Sequence, residues 1–251
     1  MTQNIKTAAL ILVLTGIGVL AAGIYPAQAQ SLSIDLGGEG ATMTSRLMQM
    51  IALITVLSLA PSILVMVTSF TRIIIVLSFV RTAMGTQQTP PNQVLVSLAL
   101  FLTAFIMMPT MEESYNQGIK PLIDGQIEEF EAFERTVDPF RKFMMNYVRE
   151  QDLALFVDIG KVSDAQVQEK MPLRVLIPAF IISELRRAFE IGFLIFIPFL
   201  IIDMVVASVL MSMGMMMLPP ILIALPFKII FFVLVDGWYM IVGNLVRGFG
   251  G

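Results

Sequence analysis

Four ionisable side chains stand inside apolar sequence: Glu184, Asp203, Lys228 and Asp236. A charge at the centre of a bilayer costs roughly 2.5–3.5 kcal/mol on insertion scales, so such groups face partners, water or one another. Opposite charge makes Glu184 and Lys228 a candidate pair, within one chain or between copies. Asp203 and Asp236 are further candidates for Lys228, Arg186 or Arg187. The alternative is that Glu184 and the two arginines lie on a wet helix end. Two aspartates in apolar sequence also admit a proton relay, as in a proton-coupled secondary transporter or an ion channel subunit, or an aspartyl dyad. A transporter of that kind is often built from inverted repeats, and none is visible. Other hydrolytic chemistry lacks its parts. Histidine and cysteine are absent, and there is no GxSxG or HExxH. The commonest general base and the commonest metal ligands go with them. No catalytic residue, metal site or cofactor is expected.

A second cluster is chemically soft. Met211, Met213, Met215, Met216 and Met217 fall close together, with Gly214 among them and Pro219-Pro220 behind. Gly and Pro mark a turn, and apolar sequence flanks it on both sides. An apolar turn suits a protein neighbour or the lining of a closed pore better than water.

The elements that carry these groups follow from composition. Of 251 residues, 57% are hydrophobic and 14% charged. Soluble domains run near 45–50% and ~25%. With a mean hydropathy of +0.83, the chain is a polytopic membrane protein or part of a very apolar assembly. A net charge of −3 argues against nucleic acid as a partner, which needs a basic surface.

Hydropathy divides the chain. Residues 1–29 have the form of a signal peptide, with Lys6, a short apolar run and an Ala27-x-Ala29 ending that fits cleavage after Ala29. The alternative is a first membrane anchor. Residues 30–46 form a Gly-rich, flexible lead. Residues 47–111 hold a first apolar helical hairpin: an uncharged stretch over 47–71 containing Pro61, an apolar continuation to Val80, a turn over 85–92 with Asn92 as a helix cap, and a second helix over 94–108. Residues 112–174 hold most of the charge and predict a small helical domain outside the bilayer. There Asp138-Pro139 reads as a helix start, and Ser163 with Gln166 as a capping box. Phe130, Phe133, Val137, Phe140, Met144, Tyr147 and Val148 recur at helical spacing. That stripe is either an ordinary helix core or a face for a neighbouring subunit, and Phe140, Phe143 and Phe156 are the candidate assembly contacts. Residues 175–251 form a second hairpin region with the Met-rich loop. Its stretch 175–182 is too short to span, and charges break every candidate span behind it.

Three long segments carry a resemblance: SFTRIIIVLSFVRTAMGTQQTPPNQVLVSLALFLTAFIMMP (69–109), AFIISELRRAFEIGFLIFIPFLIIDMVVASVLMSMGMMMLPP (179–220) and LPFKIIFFVLVDGW (225–238). They are similar to the FliP family of type III protein-export gate subunits, flagellar and injectisome. The resemblance implies an all-α chain of membrane-associated hairpins with a periplasmic helical domain. It implies a homo-oligomer, pentameric by resemblance, in a helical export gate with FliQ and FliR. FlhB and FlhA lie nearby and FliO assists assembly. The place implied is the flagellar basal body in the bacterial inner membrane. The cargo implied is unfolded flagellar protein, driven by the proton motive force and a separate ATPase, so this subunit is no enzyme. The family's methionine-rich gasket falls on Met211 to Met217. Methionine suits that role because its unbranched thioether repacks at little cost, whereas β-branched residues are stiff at χ1.

Overall fold

The computed structural model describes residues 43–86, 88–162, 170–215 and 218–250. The expected signal and most of the lead, and the Ser163–Gln166 box, lie outside them. Contacts group the chain into two units, Met1–Thr55 and Val56–Gly251. The described part of the first is the start of one helix. The packing discussed below belongs to the second.

Among the described residues every regular element is helical, as the composition and spacing predict. Helix α1 covers Met43–Met66 with Pro61 inside it. Its described side chains between residues 47 and 63 are exposed. The uncharged sequence runs on, but the helix does not. Thr68 Oγ1 donates to the Val65 carbonyl (3.2 Å) and accepts from the Phe70 amide (3.4 Å), which interrupts the ladder. Helix α2 then covers Phe70–Met84 and ends on Gly85 at φ 76°, the left-handed C-terminal cap that glycine allows.

Helix α3, Asn92–Ser114, starts with Pro91 in the cap position, so Asn92 is its first residue and not its cap. It passes through a π-helical turn, Tyr115–Ile119, into α4, Lys120–Ile123. Gly118 sits in that turn because the next helix, α5 (Glu129–Tyr147), crosses at backbone distance. A Cβ there would lie 2.0 Å from Thr136 Oγ1 and 2.8 Å from the Ala132 carbonyl.

Helix α5 covers Glu129–Tyr147 and α6 covers Glu150–Ile159. The expected helix start at Asp138-Pro139 is wrong, because Pro139 lies inside α5. The missing proline N–H forfeits one backbone bond. Continuing the helix keeps Phe143 and Met144 in the core with Ala132, and that burial outweighs the lost bond.

Helix α7, Leu173–Ser212, is 40 residues long and passes straight through the charged stretch 183–190. The expected break does not occur. Glu184 is neutralised by a neighbouring helix, and exposed Arg186 pairs with Glu190 one turn on (2.9 Å). Helix α8 is Pro220–Leu234 and α9 is Gly237–Arg247, with a 59° bend between them at Asp236, φ 49°. By length and composition, 92–123 and 173–212 can each cross a membrane, and α8 with α9 would make a third span.

Helices α2 and α7 form the centre of the second unit and run parallel. Arg72 meets Glu184, and Phe79 meets Gly192, where a Cβ would fall 2.4 Å from the ring. Phe79 also packs edge-on to Phe189 and Phe196. Helix α3 returns antiparallel, placing Leu95, Ala99 and Leu102 against Ile73, Val76 and Leu77. Helices α5 and α6 close over the start of α7 with Phe143, Met144, Val175, Leu176 and Phe180.

Candidate functional site: a methionine turn and two buried ion pairs

The turn after α7 is built by its glycine. The Gly214 amide (φ 74°) donates to the Met211 carbonyl (3.1 Å), and the Met215 amide donates to the Leu210 carbonyl (3.0 Å). These two bonds are the Schellman pattern that ends a helix on a left-handed glycine. Pro219 and Pro220 then open α8, where a missing N–H costs nothing. The turn fixes the backbone and leaves the thioethers outside. Met211, Met213 and Met215 are 58%, 61% and 42% exposed. Met216 and Met217 lie outside the described residues.

The charges sit behind this turn at two levels. Lys228, buried, donates to Asp203 Oδ2 (2.6 Å) and to the Ala83 carbonyl (3.3 Å) at the end of α2. The second bond places a cation on the negative end of a helix dipole. One lysine thereby ties α2, α7 and α8 together. The other oxygen of Asp203, Oδ1, is buried and has no hydrogen-bond partner among the described residues.

At the second level Glu184 is fully buried and Arg72 nearly so. Arg72 Nε donates to Glu184 Oε2 (2.8 Å) and its Nη2 to Oε1, a two-pronged pairing. The guanidinium also lies 3.8 Å from the centre of the Phe249 ring. The Tyr147 hydroxyl donates to the Phe249 carbonyl (2.5 Å) and holds that ring in place.

The candidate pair Glu184–Lys228 is therefore corrected within this chain. Glu184 pairs with Arg72, and Lys228 with Asp203. At 1.5 Å per residue the two acids stand about 28 Å apart along α7, so one lysine cannot serve both. Sequence reasoning passed over Arg72 because it read as a flank between apolar runs. A charge in an otherwise uncharged run of that length was the available signal. Asp236 is exposed at the α8–α9 bend and forms no ion pair among the described residues. Arg187 is likewise in none of them.

The aromatic stripe of α5 divides. Phe143 is buried against Tyr147 (5.0 Å), Phe180 (5.9 Å) and Phe249 (5.9 Å), and Phe140 and Phe156 are half-buried against the same core. Within this chain Phe143 is a core residue. The exposed aromatics of α5 are Phe130, at 78%, and Phe133, at 58%. Nearby, Lys170 bridges Glu134 (2.6 Å) and Asp138 (2.7 Å). Partial burial works against its charge, but hydrogen bonds to Asp138 and Glu134 outweigh that and hold its pKa above the ordinary lysine value.

Comparison with known proteins places the sequence in a family. The sequence model of the FliP family matches residues 53–245. The chain is 58% identical to the flagellar biosynthetic protein FliP of Caulobacter vibrioides, over 98% of this chain and 92% of that one. It is 57% identical to the protein of the same name from Bacillus subtilis, over 82% and 93%. The Rhizobium meliloti protein is 49% identical over 92% and 94%. With long apolar helices, a glycine-built methionine turn and these relatives along nearly its whole length, the chain belongs to the FliP family.

Proposed function

We propose that this chain is a channel-forming subunit of the flagellar type III export gate, conducting unfolded flagellar proteins across the bacterial inner membrane. In this reading several copies, five by family resemblance, assemble with FliQ and FliR, beside FlhB and FlhA and with FliO assisting. The domain formed by α5 and α6 faces the periplasm. The observation that carries the reading is the turn after α7. Its backbone is fixed by two capping bonds, while Met211, Met213 and Met215 project unpacked. Flexible apolar side chains on a fixed frame can close on their counterparts from other copies and yield to a passing polypeptide.

The test is membrane conductance of assembled complexes carrying Met211→Ala, Met213→Ala and Met215→Ala together. Shortening three thioethers should leave assembly intact and let ions leak. Complexes as tight as wild type would make the methionines ordinary packing residues and end the gasket reading. Ion conductance by the purified protein without FliQ and FliR would favour the transporter or channel class instead.

A further inference from the structure

A cavity of about 440 Å³ opens between α7, α8 and α9. Ile191, Phe199, Phe232, Met240 and their apolar neighbours line it, and Asn244 is the one lining side chain with hydrogen-bonding groups. It lies between α7, which is long and apolar enough for a membrane, and the bent pair α8–α9, which is so only when taken as one span.

Size limits the occupant. A helix with its side chains is 10–12 Å across, so a single turn already fills roughly 500 Å³. A partner helix would exceed this slot and lie across its open side, whereas a flexible hydrocarbon chain enters it. Charge limits it further. Helices α7 and α9 are antiparallel here, because Leu245 packs in one cluster with Ala188, while Ile241 packs beside Phe199. Asn244 and Ile191 therefore mark the same end of the cavity. Arg187 precedes Ile191 by four residues on α7, and Arg247 follows Asn244 by three on α9. Helical spacing puts each on the cavity's side, one turn beyond that end. Arg247 is exposed and Arg187 half-buried, and neither has an ion pair among the described residues. Glu184, in the same helix turn, is hydrogen-bonded by Arg72 and attracts Arg187 only through space, so the Arg187 donors stay open to a further acceptor. An apolar slot with an amide and two guanidinium groups outside any ion pair at one end matches an acyl chain ending in a phosphate, since guanidinium groups favour phosphate oxygens.

We propose that this cavity is a binding site for an anionic membrane phospholipid, with one acyl chain against Phe199, Phe232 and Met240 and the headgroup phosphate between Asn244, Arg187 and Arg247. The site is independent of the methionine turn and of the export reading. Its physical consequence is that α8 and α9 gain a partner at their bend without contact from another protein.

Native mass spectrometry of the complex, extracted in mild detergent and exchanged with phosphatidylglycerol or phosphatidylcholine, tests this. Wild type should retain phosphatidylglycerol in preference to phosphatidylcholine. The double variant Arg187→Gln/Arg247→Gln, altered only at the mouth, should lose that preference. Its affinity for phosphatidylglycerol should fall about thirty-fold, the combined worth of two basic side chains near an anionic surface. Met240→Trp, which fills the slot, should expel both lipids from it. No retained lipid in wild type, equal retention of the two lipids, or retention unaltered by both variants would each overturn the proposal. So would efficient cross-linking of Met240→Cys to another protein subunit, in a chain that has no other cysteine, because a protein would then occupy the slot.

Discussion

Removing either partner of the Arg72–Glu184 pair should damage this protein more than removing both. Glu184 is fully buried and Arg72 is 3% exposed. Breaking a buried ion pair on one side typically costs ~3–5 kcal/mol, because the remaining charge is stranded. Glu184→Gln should fall at the low end, since the amide oxygen still accepts one bond from the guanidinium. Arg72→Met should exceed it. It strands a carboxylate with no water and also removes the cation from the face of Phe249, worth up to ~2 kcal/mol when desolvated. The double variant Arg72→Met/Glu184→Leu leaves no buried charge. Replacing buried pairs by apolar groups of similar volume is often neutral, so it should recover most of the loss. Against a typical total stability of ~5–15 kcal/mol, each single change should lower the thermal midpoint in detergent and the yield of assembled complex visibly. Near wild-type behaviour of both single variants would show the site to be wet. A double variant as poor as the sum of the singles would show that the pair interaction is not what stabilises this layer.

Three more outcomes follow from the same geometry. Exchanging charges across the observed pair, Asp203→Lys with Lys228→Asp, should restore part of the assembly lost in either single variant, whereas Glu184→Lys with Lys228→Glu should restore none; native mass distinguishes them. Phe249→Ala should cost about 3 kcal/mol, as for other buried phenylalanines, and Phe249→Leu clearly less, read as thermal midpoint. Lys170 has a raised pKa in the folded state, so its ion-pair contribution is complete below the unfolded lysine value of roughly 10.4 and is lost as pH rises through the folded one. Being 38% exposed, it should add under ~1 kcal/mol, visible as a small alkaline loss of stability that Lys170→Met lacks.

Helix type and the turn were legible in the sequence because they depend on local causes. Glycine and two prolines end one helix and begin another wherever they fall in an apolar run, and Gly214 and Pro219-Pro220 do so here. Asp203 was among the candidates for Lys228, and the structure pairs them, but the partner of Glu184 was not legible, because it depends on which helices lie side by side and in what direction. Nothing local to Glu184 says that α2 runs parallel to α7 and presents Arg72 at the same height. The same blindness affected the length of α7. Charges at residues 184–190 read as a break only while their partners are unknown. Pro139 misled in the opposite sense. Its dipeptide carries a strong helix-start signal, but the apolar period of α5 was already running through it from Phe130.

The two ion pairs explain how a soft turn can be held by a stiff support. Arg72–Glu184 fixes α7 to α2 near the α5–α6 domain, and Lys228–Asp203 fixes α7, α8 and the end of α2 about 28 Å further along. Both joints are polar in apolar surroundings, so sliding α7 by one residue strands charges at two heights at once. Apolar contacts alone would allow such a slip at smaller cost. Beyond Asp203 the restraint changes character. The remaining turns of α7 and the start of α8 meet only through apolar side chains, around a cavity of about 430 Å³ lined by Val205, Val209, Ile223 and Phe227. An open-sided groove of that size leaves its lining side chains without contact partners on one side within this chain, so the hairpin tip can repack while its base stays in register. A gasket needs that division: a frame that does not slide, and a rim that deforms. Filling the second cavity is then the perturbation that separates the two roles. Val209→Phe should stiffen the tip and slow secretion without altering native mass, whereas a defect in assembly would place Val209 in the frame and move the boundary between stiff and soft closer to the methionines.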